Sequence, residues 1–248
     1  MKTNSTYREK AFLSEVTDVD IKNGIVTGYF ASFNNVDLDG DMIAKGAFSK
    51  TISERGPDGT NQIWHLLDHD TSKKIGKPYV LREDEKGLYY ETRVVTTQAG
   101  IDALKLYQAG VLNEHSIGFN IINGTPVEME GKAEYFKITE VKLWEGSGVT
   151  WGANPETPFM GMKGFNSMGA GDKLKALNSK VNNILKGLKC DGLSDETFSL
   201  LELNLNQLQK MQEDIINSLS ITKAVPEQST PDNNDSRVLN TFINKLNF

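Results

Sequence analysis

The stretches Leu88-Tyr-Tyr-Glu-Thr-Arg-Val-Val95 and Tyr135-Phe-Lys-Ile-Thr-Glu-Val-Lys-Leu143 decide the fold class. Both are rich in aromatic and β-branched residues, which suit a pleated, half-buried surface. Working outward, Ile25-Val-Thr-Gly-Tyr-Phe-Ala31 and residues 63–67 and 117–122 share this short-period texture, so the first two thirds of the chain read as strands of a curled sheet. Two helical stretches interrupt them. One covers residues 47–55, with Phe48 and Ile52 at i, i+4; the other covers residues 98–108, where Ile101, Leu104 and Tyr107 share a face and Gly110 suits a C-terminal stop.

The texture changes after the Gly-rich stretch Gly164-Phe-Asn-Ser-Met-Gly-Ala-Gly171, which suits a flexible linker. Leu174, Leu177, Val181, Ile184 and Leu188 recur at heptad-like spacing. Beyond the break at Gly192, Leu201, Leu205, Leu208, Ile215 and Leu219 continue it, with Gln212 at one seam position. Ser194, followed by Asp195 and Glu196, suits a helix start. These residues predict an antiparallel helical hairpin or short coiled coil, the alternative being two amphipathic helices packed on the first domain. Residues 225–236 form a polar linker and residues 238–248 a small amphipathic tail.

Composition bounds the function. A chain of 248 residues with 38% hydrophobic and 24% charged residues can bury a core and is neither fibrous nor wholly disordered. A single cysteine, Cys190, leaves no internal disulfide, and the polar start lacks the apolar core of a secretory signal, which points to a reducing cytoplasm. No apolar run reaches the length of a membrane span. The net charge of −6, without clustered Lys and Arg, argues against non-specific nucleic-acid binding.

Only three histidines, His65, His69 and His115, are available to any imidazole chemistry. His115 adjoins Ser116 in Asn113-Glu-His-Ser-Ile-Gly-Phe119, and a serine hydroxyl becomes a nucleophile when an oriented base takes its proton. The surroundings of Ser116 are not the Gly-x-Ser-x-Gly elbow of α/β-hydrolases. His65 and His69 have the H-x-x-x-H spacing of a metal site, but Leu66 stands where a zincin has its glutamate, and the flanking residues read as strand and loop. Asp37-Leu-Asp-Gly-Asp41 has Met42 and Phe48 where a calcium loop needs Gly and Glu, and reads as a solvated turn.

Five segments in succession carry a family resemblance: Gly28-Tyr-Phe-Ala-Ser-Phe33 leading to Asp37 and Gly40-Asp41; Lys45-Gly-Ala-Phe48; Leu66-Leu-Asp-His-Asp70 followed by Ile75-Gly76; Gly110 through Ser116-Ile-Gly-Phe119; and Ile138-Thr139 leading to Leu143-Trp-Glu-Gly-Ser-Gly-Val-Thr150 and Ala153-Asn-Pro155. Over about residues 24–160 the chain resembles the prohead, or capsid-maturation, serine proteases of tailed bacteriophages, which are related to the herpesvirus assemblins. The resemblance implies an α+β, mostly β fold: an assemblin-like closed or partly closed β-barrel with flanking helices. The protease domain is expected in residues 1–163, and composition and spacing put after it the linker 164–171, the helical hairpin or coiled coil 172–222, and the linker and tail 223–248.

By resemblance, the nucleophile is Ser116, the base His69 and the third member Glu145. Assemblins use a second histidine in that last role, so His65 and His115 stand in reserve, and Asp68 and Asp70 are alternative partners for an imidazole. Gly146 and Gly148 replace the larger apolar residues usual in the family, which predicts a looser strand beside Glu145. Gly118 suits a close backbone approach. The activity implied is that of a serine endopeptidase needing neither cofactor nor metal. It acts inside the procapsid in the host cytoplasm on the scaffold segment of the major capsid protein, on other assembly proteins and on itself. Self-association is expected, and nucleic acid and membrane are not. The alternatives are a non-catalytic assembly or scaffolding protein and a histidine-based metallohydrolase.

Overall fold

The computed structural model describes residues 7–12, 16–36, 40–129, 132–149 and 168–222. Residues 37–39 of the acidic loop, the 150–155 end of the last family segment, residues 164–167 of the Gly-rich stretch, and the linker and tail beyond 222 lie outside the described residues. The chain divides into two compact units, residues 1–163 with 191–194 and residues 164–190 with 195–248. The architecture is mixed α+β and mostly β. None of the described helices is long and apolar enough to cross a membrane.

The first unit is built on one long antiparallel hairpin. In chain order its elements are β1 (Tyr7–Phe12), β2 (Val16–Asp20), β3 (Ile25–Ser32), β4 (Asp41–Ile43), α1 (Ser49–Arg55), β5 (Trp64–Leu67), β6 (Asp70–Gly76), β7 (Pro78–Glu83), β8 (Gly87–Arg93), α2 (Gln98–Ala109), β9 (Glu114–Met129) and β10 (Lys132–Val149). Strands β9 and β10 pair from Met129 opposite Lys132 to Glu114 opposite Val149. The outer edge of β9 takes β1, antiparallel. The outer edge of β10 is shared by two parallel strands, β4 at Phe136 to Ile138 and β5 at Glu145 to Gly148. Strands running the same way cannot be joined by a tight turn, and the connection from β4 to β5 passes through α1. Strand β6 completes this sheet, and β2-β3-β8-β7 form a second, four-stranded one.

The core holds Phe30 of β3 stacked on Tyr90 of β8, ring centroids 3.9 Å apart, with Ile75, Ile117, Ile138 and Leu143 also buried. Each such side chain contributes roughly 1.5–3 kcal/mol of hydrophobic stabilisation. Gly146 and Gly148 do not loosen β10, which is paired on both edges there. A Cβ at Gly146 would lie 2.4 Å from the Phe30 ring, and one at Gly148 would lie 2.2 Å from the Tyr107 hydroxyl. The missing side chains are replaced by rings from elsewhere.

Each helix keeps one expected residue buried, Phe48 at the start of α1 and Tyr107 on α2, and departs from expectation elsewhere. On α2, Ile101 is exposed, and the buried stripe is Gly100, Ala103, Leu106 and Tyr107. Gly100 lets the helix approach the backbone of Val95, whose carbonyl oxygen a Cβ would meet at 2.0 Å. Gly100 and Ala103 share this face with Leu106 and Tyr107. Thr97 caps the start by accepting from the Gly100 N–H, and Gly110 closes the helix at φ 73°, as its position implied. On α1, Thr51 is the buried residue, and its hydroxyl accepts from the Leu143 N–H at 3.0 Å.

In the second unit α3 (Ala170–Leu188) and α4 (Asp195–Thr222) pack on each other. Helix α3 begins inside the Gly-rich stretch, and α4 starts directly after Ser194. Leu174, Leu177, Val181 and Ile184 on the one helix, and Leu201, Leu208 and Gln212 on the other, are buried. Leu188, Leu205, Ile215 and Leu219 are only half-buried.

Candidate active site

His69 is placed by a strained turn. Strand β5 ends at Leu67, which pairs with Asp70 at the start of β6, so Asp68 and His69 form a two-residue hairpin loop. Their φ values are 47° and 57°, the left-handed pattern such loops favour. For residues with a Cβ this conformation costs roughly 1–2 kcal/mol each. Two hydrogen bonds from the turn to β10 offset that cost: the Asp68 N–H donates to the Gly148 carbonyl at 3.0 Å, and the His69 N–H donates to Ser147 Oγ at 3.2 Å.

The hairpin β9–β10 supplies the remaining groups. Ser116 on β9 lies between Ala11 of β1 and Ser147 of β10 in register. Glu145 and Ser147 are two residues apart on one strand and therefore project to the same face. Ser116 Oγ is 2.6 Å from His69 Nε2, and His69 Nδ1 is 2.8 Å from Glu145 Oε1. With Nδ1 donating to the carboxylate, Nε2 of the neutral ring accepts the Ser116 proton. Glu145 also accepts from the Tyr7 hydroxyl at 3.1 Å on Oε1 and from Ser147 Oγ at 2.6 Å on Oε2. Ser116 has no exposed surface and Glu145 is 4% exposed, so the relay is shielded from water.

Shielding sets the electrostatics. Burial of the His69 ring works against its charge, but the hydrogen bond and negative charge of Glu145, aided by Glu9 and Asp68, outweigh it, and the pKa rises above 6.5. Burial and the neighbouring Glu145 push ionisation of Tyr7 far above the usual phenol range, keeping its hydroxyl a donor.

The other histidines serve the core. Alternation along β9 turns His115 to the face opposite Ser116, where its Nε2 bonds the hydroxyls of Tyr90 at 2.7 Å and Tyr107 at 3.2 Å. His65 on β5 bonds Thr92 at 3.0 Å and Tyr107 at 3.1 Å. Neither has exposed surface. Burial drives the pKa of His115 down to about 3, and burial with the nearby His115 drives that of His65 well below 6.5. His65 and His69 do not converge, since one points into the core from a strand and the other sits in the turn. The imidazole of His69 meets Glu145 and not its neighbours Asp68 and Asp70.

Two participants escaped sequence reasoning. Ser147 lies in the quoted segment without a role, although its i+2 spacing from Glu145 signalled a shared strand face. Tyr7 carries no local signal, because only the pairing of β1 with β9 brings it to Glu145.

A scan of family models matches the caudovirus prohead serine protease family over residues 13–168. The chain belongs to that family. Among relatives of this prohead protease family member, the prohead protease of Enterobacteria phage HK97 is 36% identical over 104 residues, 41% of this chain. The chain spans less than half, 44%, of that relative's length. Among solved structures, the bacteriophage T4 capsid assembly protease aligns over 58% of this chain and 96% of its own, at 14% identity and a TM-score of 0.45.

Proposed function

We propose that this chain is a serine endopeptidase whose nucleophile is Ser116, whose general base is His69 and whose orienting carboxylate is Glu145. The observation that carries the reading is the continuous relay from Ser116 Oγ through both imidazole nitrogens to Glu145, at 2.6 and 2.8 Å. Ser116 Oγ attacks a peptide carbonyl while Nε2 takes its proton. The imidazolium, stabilised by Glu145, returns that proton to the leaving amine, and water then resolves the acyl-enzyme by the same route. Because Ser116 is sealed, a peptide reaches it by displacing a covering neighbour. Around this site the two sheets serve as a partly closed, assemblin-like barrel.

The substrates are the scaffold segment of the major capsid protein, other procapsid proteins and the chain itself, cut inside the procapsid in the host cytoplasm. Residues 1–163 act as the protease domain on the tether 164–169. The helices of residues 172–222 pair with helical scaffold segments and raise the local protease concentration. The polar linker at 225–236 is a self-cleavage region.

Mass spectrometry of the expressed chain beside Ser116→Ala tests the nucleophile. Self-trimming and cleavage of capsid precursor are expected from the first, with turnover lower by ~10⁴-fold or more in the second. Equal cleavage by both removes Ser116 from the mechanism. Deleting residues 165–248 is expected to spare peptide hydrolysis and abolish incorporation into procapsids; normal incorporation of the shortened protein excludes the packaging role.

A further inference from the structure

Beside the relay lies a cavity of about 710 Å³, whose wall includes Arg55, Trp64, Leu66, Lys74, Trp144 and Glu145. Two tryptophans belong to this wall, and cations lie over both. The Arg55 guanidinium lies 4.4 Å from the Trp144 ring and Lys142 Nζ at the same distance, while Lys77 and Lys74 lie 4.2 and 5.5 Å from the Trp64 ring. Among the described residues, none of these four cations enters an ion pair. Lys74 and Lys77 donate to backbone carbonyls, of Thr71 and Asn61.

Arg55 is the most telling. Its Nε donates to the Leu143 carbonyl at 3.3 Å and one terminal nitrogen donates to Gln62 Oε1 at 2.7 Å, which fixes the guanidinium plane. Of its five N–H donors, two are thereby used, and the others form the planar fork that matches a carboxylate. Glu145, held by Tyr7, His69 and Ser147, brings one negative charge to this wall against the two positive charges of Arg55 and Lys74. The unmatched charge of the cavity is positive, although the chain as a whole carries −6.

We propose that this cavity is the substrate side-chain pocket of the protease and takes an acidic residue of the substrate, its carboxylate on Arg55 and Lys74 and its methylenes against Trp64 and Trp144. The proposal rests on the Ser116 reading. Glu145 belongs both to the cavity wall and to the relay, so the pocket lies within about three extended residues, at ~3.3 Å each, of the scissile bond. Apolar walls with a few fixed polar groups are the ordinary construction of a specificity site. The volume exceeds one side chain, so a flanking apolar residue of the substrate shares it, against Leu66.

The test digests a peptide library of mixed sequence with the full chain, with Arg55→Glu and Lys74→Glu, and with Ser116→Ala as the blank, reading cut sites by mass spectrometry. The full chain is expected to show Asp or Glu enriched at one fixed position within three residues of the cut. Charge reversal at Arg55 is expected to erase that preference and to lower kcat/KM on a matched Glu peptide by about 10–100-fold, the weight of charge-assisted hydrogen bonds. The matched Gln peptide should be spared. Lys74 is exposed, so its reversal weakens the same preference without a folding defect and decides the matter if Arg55→Glu does not fold. A cut-site profile without acidic preference, or one unchanged in both variants, overturns the pocket assignment while leaving the protease intact. No cleavage by the full chain, or cleavage persisting in Ser116→Ala, overturns the Ser116 reading and the pocket with it.

Discussion

Replacing Gly118 by alanine puts one methyl group against the groups that aim His69. A Cβ at this position would lie 2.1 Å from Glu145 Oε1, 2.0 Å from the Tyr7 hydroxyl oxygen and 2.7 Å from Tyr7 Cζ. Ordinary contact begins at 3.4 Å, so the carboxylate must retreat by more than an ångström. Oε1 is the same atom that accepts from His69 Nδ1 at 2.8 Å, so its retreat breaks or rotates that bond. The atoms displaced are the ends of two side chains and not backbone, and the position shows no positive φ, so the sheet itself survives. A displacement near 1 Å at a catalytic group costs about 10²-fold in rate. The assay is kcat/KM on capsid precursor or a derived peptide, with thermal unfolding followed in parallel. The expected result is a loss of about two orders of magnitude with Tm nearly unchanged. Adding Tyr7→Phe removes one clash of the three and restores little, because the carboxylate remains in the way. Activity within a few-fold of the parent refutes the assignment of Glu145 as the orienting group.

Three further outcomes follow from the site and the core. The pKa of His69 is raised, and a general base works unprotonated, so the acid limb of the kcat/KM profile is expected above pH 6.5; Glu145→Gln removes the largest of the influences that raise it, leaves burial opposed only by Glu9 and Asp68, and moves the limb down with a smaller plateau rate. A limb that stays in place in that variant contradicts the pairing. The stability contributed by the His69–Glu145 pair is present below the unfolded pKa of about 6.5 and is lost as pH rises through the higher folded value, opposite in direction to activity. At Gly146, alanine drives a methyl to 2.4 Å from the Phe30 ring in the core, and overpacking of this kind destabilises by about 1–3 kcal/mol. Urea denaturation should show that loss, and an unchanged midpoint would mean that Phe30 can move.

The sequence by itself determined several of the strands and both C-terminal helices, because side-chain alternation and heptad spacing are local properties: Leu88 to Arg93 lies in β8, with Val94 and Val95 beyond its end, Tyr135 to Leu143 lies within β10, and the leucine spacing beyond residue 172 falls on α3 and α4, whereas β1, β2, β4, β6 and β7 carried no such signal. It also singled out Ser116, His69 and Glu145, through the order of short motifs. Their convergence was decided only in three dimensions, since it depends on a turn at positive φ, on the register of β9 against β10 and on β5 lying parallel to β10. The same holds for Tyr7, delivered by the β1–β9 ladder, and for Gly146 and Gly148, whose small size answers to Phe30 and Tyr107 far away in the chain. A residue's neighbours across a sheet are fixed by pairing energies summed over whole strands, and no window of sequence contains that sum.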